Sequence, residues 1–362
     1  MDESIYKIAL SQLEGVGSIT AKRLVSYCGG LEAVFRAKRK TLLKIPGVGP
    51  GIAQSVLNFR NFESAEREMQ YCEENQIDVY LYSDGAYPQR LKQCEDSPVT
   101  IFSQGRVDLN GRRVLSLVGT RKPTTRGREL VEEFVSGLTG SDVIVISGMA
   151  YGIDGLAHKS SVKHQIPTVG VLAHGLDRVY PRVHSTLARE MLENGGLLSE
   201  FPTGTNPDRE NFPRRNRIVA GLADATVVVE SDRKGGSMIT ADLAFQYNRE
   251  VFAFPGRPDD RFSSGCNALI RWNKAALIHG VEDFLKDMQW DEKGPQVVQP
   301  QLFDLTAVEE RCLKLLRSGR MVLDDIAARL NMPVSDASTV LLALEFKDAI
   351  RALPGKVFEA RH

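Results

Sequence analysis

The chain has 362 residues, 42% hydrophobic and 25% charged, with 46 Lys/Arg balanced by 46 Asp/Glu. That length accommodates two or three domains with a sizeable buried core, and a net charge of zero excludes a uniformly cationic DNA-coating protein. Any nucleic-acid site must therefore be a local basic patch, and no apolar run approaches the roughly 18–20 residues that cross a bilayer, so no membrane partner is expected.

Residues 1–70 hold a diverged repeat. Leu13–Leu24 (LEGVGSITAKRL) and Ile45–Leu57 (IPGVGPGIAQSVL) each read as an apolar residue, Gly-Val-Gly, then an amphipathic helix. This is a tandem helix-hairpin-helix pattern. Gly15, Gly17, Gly47 and Gly49 permit tight turns whose backbone N–H groups can approach a phosphate beside a helix N-terminus. The pattern fits non-specific DNA-backbone contact and equally fits a small helical packing domain.

Residues 75–290 alternate strand and helix patterns. Arg113–Gly119, Asp142–Ser147, Thr168–Ala173, Ala225–Glu230 and Val251–Phe254 are short β-branched runs expected as buried parallel strands. Gly127–Leu138, Ile153–Lys163, Val183–Asn194 and Ile239–Arg249 are expected as helices between them. The alternation predicts a doubly wound, mostly parallel Rossmann-like α/β sheet, with ligands bound where loops leave the strand ends.

A linker over 291–305 follows, containing Pro and Gln. Its Gln301–Leu305 segment loosely resembles a sliding-clamp-binding peptide and is read first as an apolar anchor. Residues 306–362 read as a winged helix, with helices Thr306–Leu316, Val322–Leu330 and Ser335–Phe346 and a wing Ile350–Glu359 turning at Pro354-Gly355. This segment carries nine Lys/Arg and eight Asp/Glu. The third helix offers no early cation, so protein contact is favoured over groove reading.

The strand-end loops of the middle segment carry the chemistry. Gly119-Thr120-Arg121-Lys122 leaves a strand and opens a helix, combining orphan N–H donors with full positive charges. Neither the dinucleotide nor the nucleoside-triphosphate fingerprint occurs there, so no cofactor is expected. Ser147–Asp154 is a small-residue loop in which Asp154 and His158 share a helix face, and it is read as structural. His174–Arg182 ends in Tyr180, Pro181 and Arg182. Asn211–Gly221 (NFPRRNRIVAG) places Phe212, Arg214 and Arg217 at a helix start. Arginine suits phosphate and an aromatic suits a base, the pairing that single strands require. Lys234-Gly235-Gly236-Ser237 is a further anion cradle.

Cys28, Cys72, Cys94, Cys266 and Cys312 form no metal spacing or evident disulfide framework, which together with the opening MDESIYKIAL fits a cytoplasmic chain. The enzymatic alternative is a nucleotide or nucleoside-phosphate hydrolase using Asp154, His158 or Glu200. No nucleophile–base pair and no metal set accompanies them.

Ser147–His158 (SGMAYGIDGLAH), Gly175–Pro181 (GLDRVYP), Asn211–Glu230, Gly235–Ala244 (GGSMITADLA), Val251–Gly256 (VFAFPG) and Ser263–Ile270 (SSGCNALI) together resemble the DprA/Smf family of DNA-processing proteins. The resemblance spans most of the middle segment in order and extends to both flanks. It implies a non-catalytic protein that binds single-stranded DNA in a basic pocket, forms a homodimer and loads a RecA-type recombinase during natural transformation. By motif it places Arg121 and Arg182 on the strand. The sequence has Gly-Thr-Arg where the family more often has Gly-Ser-Arg, and arginine after Tyr-Pro where lysine is common.

Overall fold

The computed structural model describes residues 3–106, 108–290, 306–317, 319–347, 349–353 and 357–360. Its contacts divide into two units, Met1–Asp291 and Glu292–His362. The 291–305 linker with Gln301–Leu305, and the Pro354-Gly355 turn, lie outside the described residues.

The first unit opens with helices, of which Ser18–Cys28 and Pro50–Asn58 follow the two hairpins. Gly15 and Gly47 adopt φ of +71° and +84°, a region L side chains rarely enter. Gly17 and Gly49 stand two residues further on, as the N-cap residues of those two helices. Leu10, Leu24, Leu42, Ala53 and Val56 close the core beneath them.

Nine strands follow: β1 (Ile77–Leu81), β2 (Thr100–Gly105), β3 (Arg113–Val118), β4 (Val143–Gly148), β5 (Thr168–Leu172), β6 (Gly195–Ser199), β7 (Ala225–Val228), β8 (Glu250–Ala253) and β9 (Ala276–Leu277). They form one sheet in the order β1-β2-β6-β5-β4-β3-β7-β8-β9. β1–β2 and β2–β6 pair antiparallel, and the remaining pairs are parallel. The predicted doubly wound sheet is therefore present, widened by an antiparallel edge and by β6 and β9.

Buried side chains cover both faces. Phe134, Ile153, Phe252, Phe284 and Trp290 pack on one side. Ile218, Val219, Leu222, Met238, Ala241 and Leu269 pack on the other. The chain runs outward through β3, β4, β5 and β6, then returns to place β7 on the opposite edge of β3. That reversal opens a crevice beyond the carboxyl ends of β3 and β7, the position where open α/β sheets bind ligands.

The second unit is a winged helix. Helices Ala307–Arg317, Leu323–Leu330 and Val334–Phe346 pack with strands Met321–Val322, Ile350–Leu353 and Val357–Ala360. Its first helix is capped reciprocally: Thr306 N–H donates to Glu309 Oε2 at 2.7 Å and Glu309 N–H to Thr306 Oγ1 at 3.3 Å. Cys312, Ile326, Leu330, Leu341 and Leu344 form its core. Among the described residues, no helix is long and apolar enough to cross a membrane.

Candidate nucleic-acid interface

The loop after β3 is anchored from below. Thr120 N–H donates to the Glu230 carbonyl at 2.7 Å. The Glu230 carboxylate accepts from Thr124 N–H at 2.9 Å and from Thr124 Oγ1 at 2.5 Å. Thr124 Oγ1 in turn caps the helix Thr125–Gly137 by accepting from Gly127 N–H at 3.0 Å. The loop after β4 locks against it: Gly152 has φ +82°, and a Cβ there would lie 2.2 Å from the Thr120 carbonyl oxygen. Gly119, Thr120, Arg121 and Lys122 thus form a fixed rim, with Arg121 and Lys122 exposed.

Beyond this rim lies a cleft of about 960 Å³ bounded by the ends of β3, β4 and β7 and by the helix Asn211–Leu222. Arg121, Lys122, Arg209, Arg215, Lys234 and Arg261 line it, against two carboxylates, Asp154 and Asp232. Asp232 is 2.6 Å from Arg261. A chain of zero net charge therefore carries a locally cationic cleft, the arrangement that attracts polyanions. Phe212 sits within it, half-buried, with the Arg121 and Arg215 guanidinium carbons 5.5 Å and 5.9 Å from its ring centre. Tyr180 meets Phe212 edge-on at 6.3 Å and is 48% exposed, which leaves ring surface free for a base.

The remaining candidates separate. Arg182 is exposed at the start of the short 3-10 helix Arg182–His184, directly after Pro181 and Tyr180 of the cleft region. Gly235 and Gly236 open the helix Gly236–Gln246, and a Cβ on Gly236 would meet nothing within 4 Å. Ser237, read as a ligand, is instead buried with its hydroxyl donating to Ser231 Oγ at 2.8 Å. Arg217 departs further from the sequence expectation. Only 12% exposed, it is committed to Glu200 and to the Asp96 carbonyl. Arg214 remains 57% exposed, 3.6 Å from the same carboxylate. Burial pushes the Glu200 carboxyl above its ordinary range, and the Arg217 and Arg214 charges pull it back.

Arg215 lines the cleft although the sequence reading did not name it among the candidate site residues. Its guanidinium is buried in the cleft wall, donating to the Val171 carbonyl and to Asn216 Oδ1. It lies so close to Gly148 that a Cβ there would meet it at 2.5 Å. The signal was available, because Arg215, Ile218, Val219 and Leu222 follow the i, i+3, i+4, i+7 inward period. Arg261 was missed as well, although it sits in the loop after β8 and so obeys the same strand-end rule.

The Asp154–His158 pair is divided. Asp154 lines the cleft, its carboxyl raised by burial and opposed by Arg215. His158 is fully buried, its Nε2–H donating to the Gly148 carbonyl at 2.9 Å and its Nδ1 2.7 Å from Thr168 Oγ1. Burial lowers its pKa to about 4. The unfolded chain, with a histidine near 6.5, then binds one proton more between these values, so stability is complete above about pH 6.5 and declines toward pH 4. Between pH 7 and pH 5 the wild type should lose about 2 kcal/mol more than His158→Gln. Urea unfolding at the two pH values checks this, and parallel losses would contradict it. No group of three or more His, Cys, Asp or Glu suited to a metal occurs among the described residues.

Comparison with known proteins bears on the family and the fold. The family model of DNA recombination-mediator protein A matches residues 78–289, the helix-hairpin-helix motif matches residues 9–68, and the DprA winged helix domain matches residues 298–356. Protein Smf of Escherichia coli is 34% identical over 96% of this chain and 92% of its own. DNA processing protein DprA of Bacillus subtilis is 37% identical over 63% of this chain and 76% of its own. The crystal structure of DprA from Streptococcus pneumoniae superposes with a TM-score of 0.69 at 28% identity, over 79% of this chain and 99% of that one. DprA of Helicobacter pylori, whose structure is described in terms of a single-stranded DNA binding mode, gives 0.54 at 25% identity over 59% and 96%. The chain belongs to the DNA recombination-mediator protein A family, the DprA/Smf proteins.

Proposed function

We propose that this protein binds single-stranded DNA in the cleft at the ends of β3, β4 and β7, protects it and hands it to a RecA-type recombinase in natural transformation and recombination. The observation that carries the reading is the coincidence in one cleft of six cations and a half-exposed Tyr180–Phe212 aromatic pair. Phosphates engage Arg121, Lys122 and the Gly236 N–H in the cleft and the exposed Arg182 and Arg214 outside its lining, while Phe212 and Tyr180 receive a base and Gly235, whose N–H is held by the Asp232 carbonyl, shapes the turn. Gly119 and Thr120 supply the rim, Arg215 holds Phe212, and Ser237 and Arg217 brace the walls. The hairpin glycines Gly15, Gly17, Gly47 and Gly49 add backbone contact with DNA. In this reading the role is non-catalytic and cytoplasmic and is exercised by a homodimer with a RecA-type recombinase as partner, as the family resemblance in the sequence implies.

Fluorescence anisotropy with labelled oligo-dT and its duplex tests the reading. With three or four phosphates neutralised per protomer at roughly 0.7 each, log K should fall against log salt with a slope of about −2 to −3 for the single strand. A flat salt dependence, or equal affinity for the duplex, would remove the cleft from the account. Nucleotide hydrolysis abolished by Asp154→Asn would replace binding with catalysis.

A further inference from the structure

A second basic hollow adjoins the cleft. It has a volume of about 600 Å³ and lies between the helix Ile153–Lys163, the loop ending at Pro123, and residues Val183–Glu190. Arg121, Lys122, Arg128 and Lys159 line it against one carboxylate, Glu190. Arg121 and Lys122 also line the cleft, so the two spaces share a wall.

The cations of this hollow are not used up by the fold. On the helix Thr125–Gly137, Arg126 turns to Glu133 at 3.1 Å and Glu129 at 3.4 Å. Arg128 instead lines the hollow, donating a long hydrogen bond of 3.4 Å to the Pro123 carbonyl. Lys159 is exposed one turn after Gly155 and enters no ion pair among the described residues. Beside these charges, Val183 is 70% exposed and Tyr151 52%, with Tyr151 lining the hollow and meeting the His184 ring edge-on at 5.8 Å. Positive charge with an exposed aromatic, continuous with the cleft, repeats the cleft's own recognition chemistry.

We infer that the hollow is the exit track for the same DNA strand: a single strand seated in the cleft crosses the Arg121–Lys122 rim, stacks a base on Tyr151 and places its next phosphates on Arg128 and Lys159. The inference rests on the cleft reading and assigns a further binding surface to it. Only strands long enough to leave the cleft engage the track.

The test compares oligo-dT of about 6 and about 20 nucleotides, lengths that bracket common single-strand site sizes. For Arg128→Ala/Lys159→Ala the long strand should bind about tenfold more weakly and its salt slope should become shallower by about 1.4, while the short strand binds as to wild type. Both side chains are exposed, so circular dichroism should be unchanged. Arg209→Ala/Lys234→Ala, which touches the cleft alone, should weaken both lengths. Equal behaviour of the track variant and wild type at both lengths overturns the track, as does an equal loss at both. A wild-type chain that binds neither length, or is indifferent to Arg209→Ala/Lys234→Ala, overturns the cleft reading instead.

Discussion

Replacing Arg121 and Arg182 together with alanine should weaken oligo-dT binding about a hundredfold, the result of losing two charge-assisted phosphate contacts at roughly 1.5 kcal/mol each. The salt slope should become shallower by about 1.4 at the same time. The two effects have one origin, since each lost contact leaves a condensed counterion on the DNA. Neither side chain supports the fold: both are exposed. The rim that presents Arg121 is held by Glu230, Thr124 and Gly152, none of which the variant alters. Arg121→Ala also frees one face of Phe212 from its guanidinium 5.5 Å away, so base stacking becomes less well positioned. Anisotropy at two salt concentrations measures both quantities. Unchanged affinity in a folded variant would move the DNA site to the hairpins of Gly15 and Gly47 or to the winged helix.

How far such a site can be read in advance depends on whether its determinants are local. β3, β4, β5, β7 and β8 were legible because each is a short apolar run buried on both faces over almost its whole length. β1 and β2 were not, since IDVYL and TIFSQG are only partly buried and pair at the antiparallel edge. β6 was hidden by its composition: GGLLS opens with two glycines, and a Cβ on Gly195 would fall 2.0 Å from the Thr168 carbonyl oxygen of the neighbouring strand. Nothing within the segment announces that approach. The winged helix and the hairpins were legible from helical period and the Gly-Val-Gly repeat.

The basic loops were legible as loops, because strand–helix alternation alone places them on one edge. The fate of each arginine was not. Arg214, Arg215 and Arg217 differ only in helix phase and in partners remote in sequence. Arg217 is claimed by Glu200 and by a carbonyl at Asp96, 121 residues away. Nothing local in NFPRRNR marks Arg217 as a buried brace and not a phosphate ligand. The inward phase of Arg215 was readable from Ile218, Val219 and Leu222, but a charged residue on an apolar stripe is easily assigned to the surface.

That buried arginine should govern the stability of the cleft. Arg215 is 4% exposed, and burial disfavours its charge while Asp154 supports it. Arg215→Met would leave the Val171 carbonyl without its donor and Asp154 without its principal counter-charge. Removing one partner of such an arrangement costs about 3–5 kcal/mol, because the other charge remains buried and uncompensated. Asp154→Asn in the same chain removes that charge, so the double variant should recover about 1–3 kcal/mol of the deficit. The pH dependence fixes the cause. Without Arg215 the Asp154 carboxyl takes up a proton even more readily when folded than when unfolded, so the deficit of Arg215→Met should grow as pH rises from 5 to 8 and be smaller in the acid range. In the double variant that trend should vanish. Urea midpoints at both pH values for the four chains of the cycle decide it: additive losses with no pH trend would mean that Arg215 acts through packing against Phe212 and Gly148, and that Asp154 is held by the helix N-terminus it occupies.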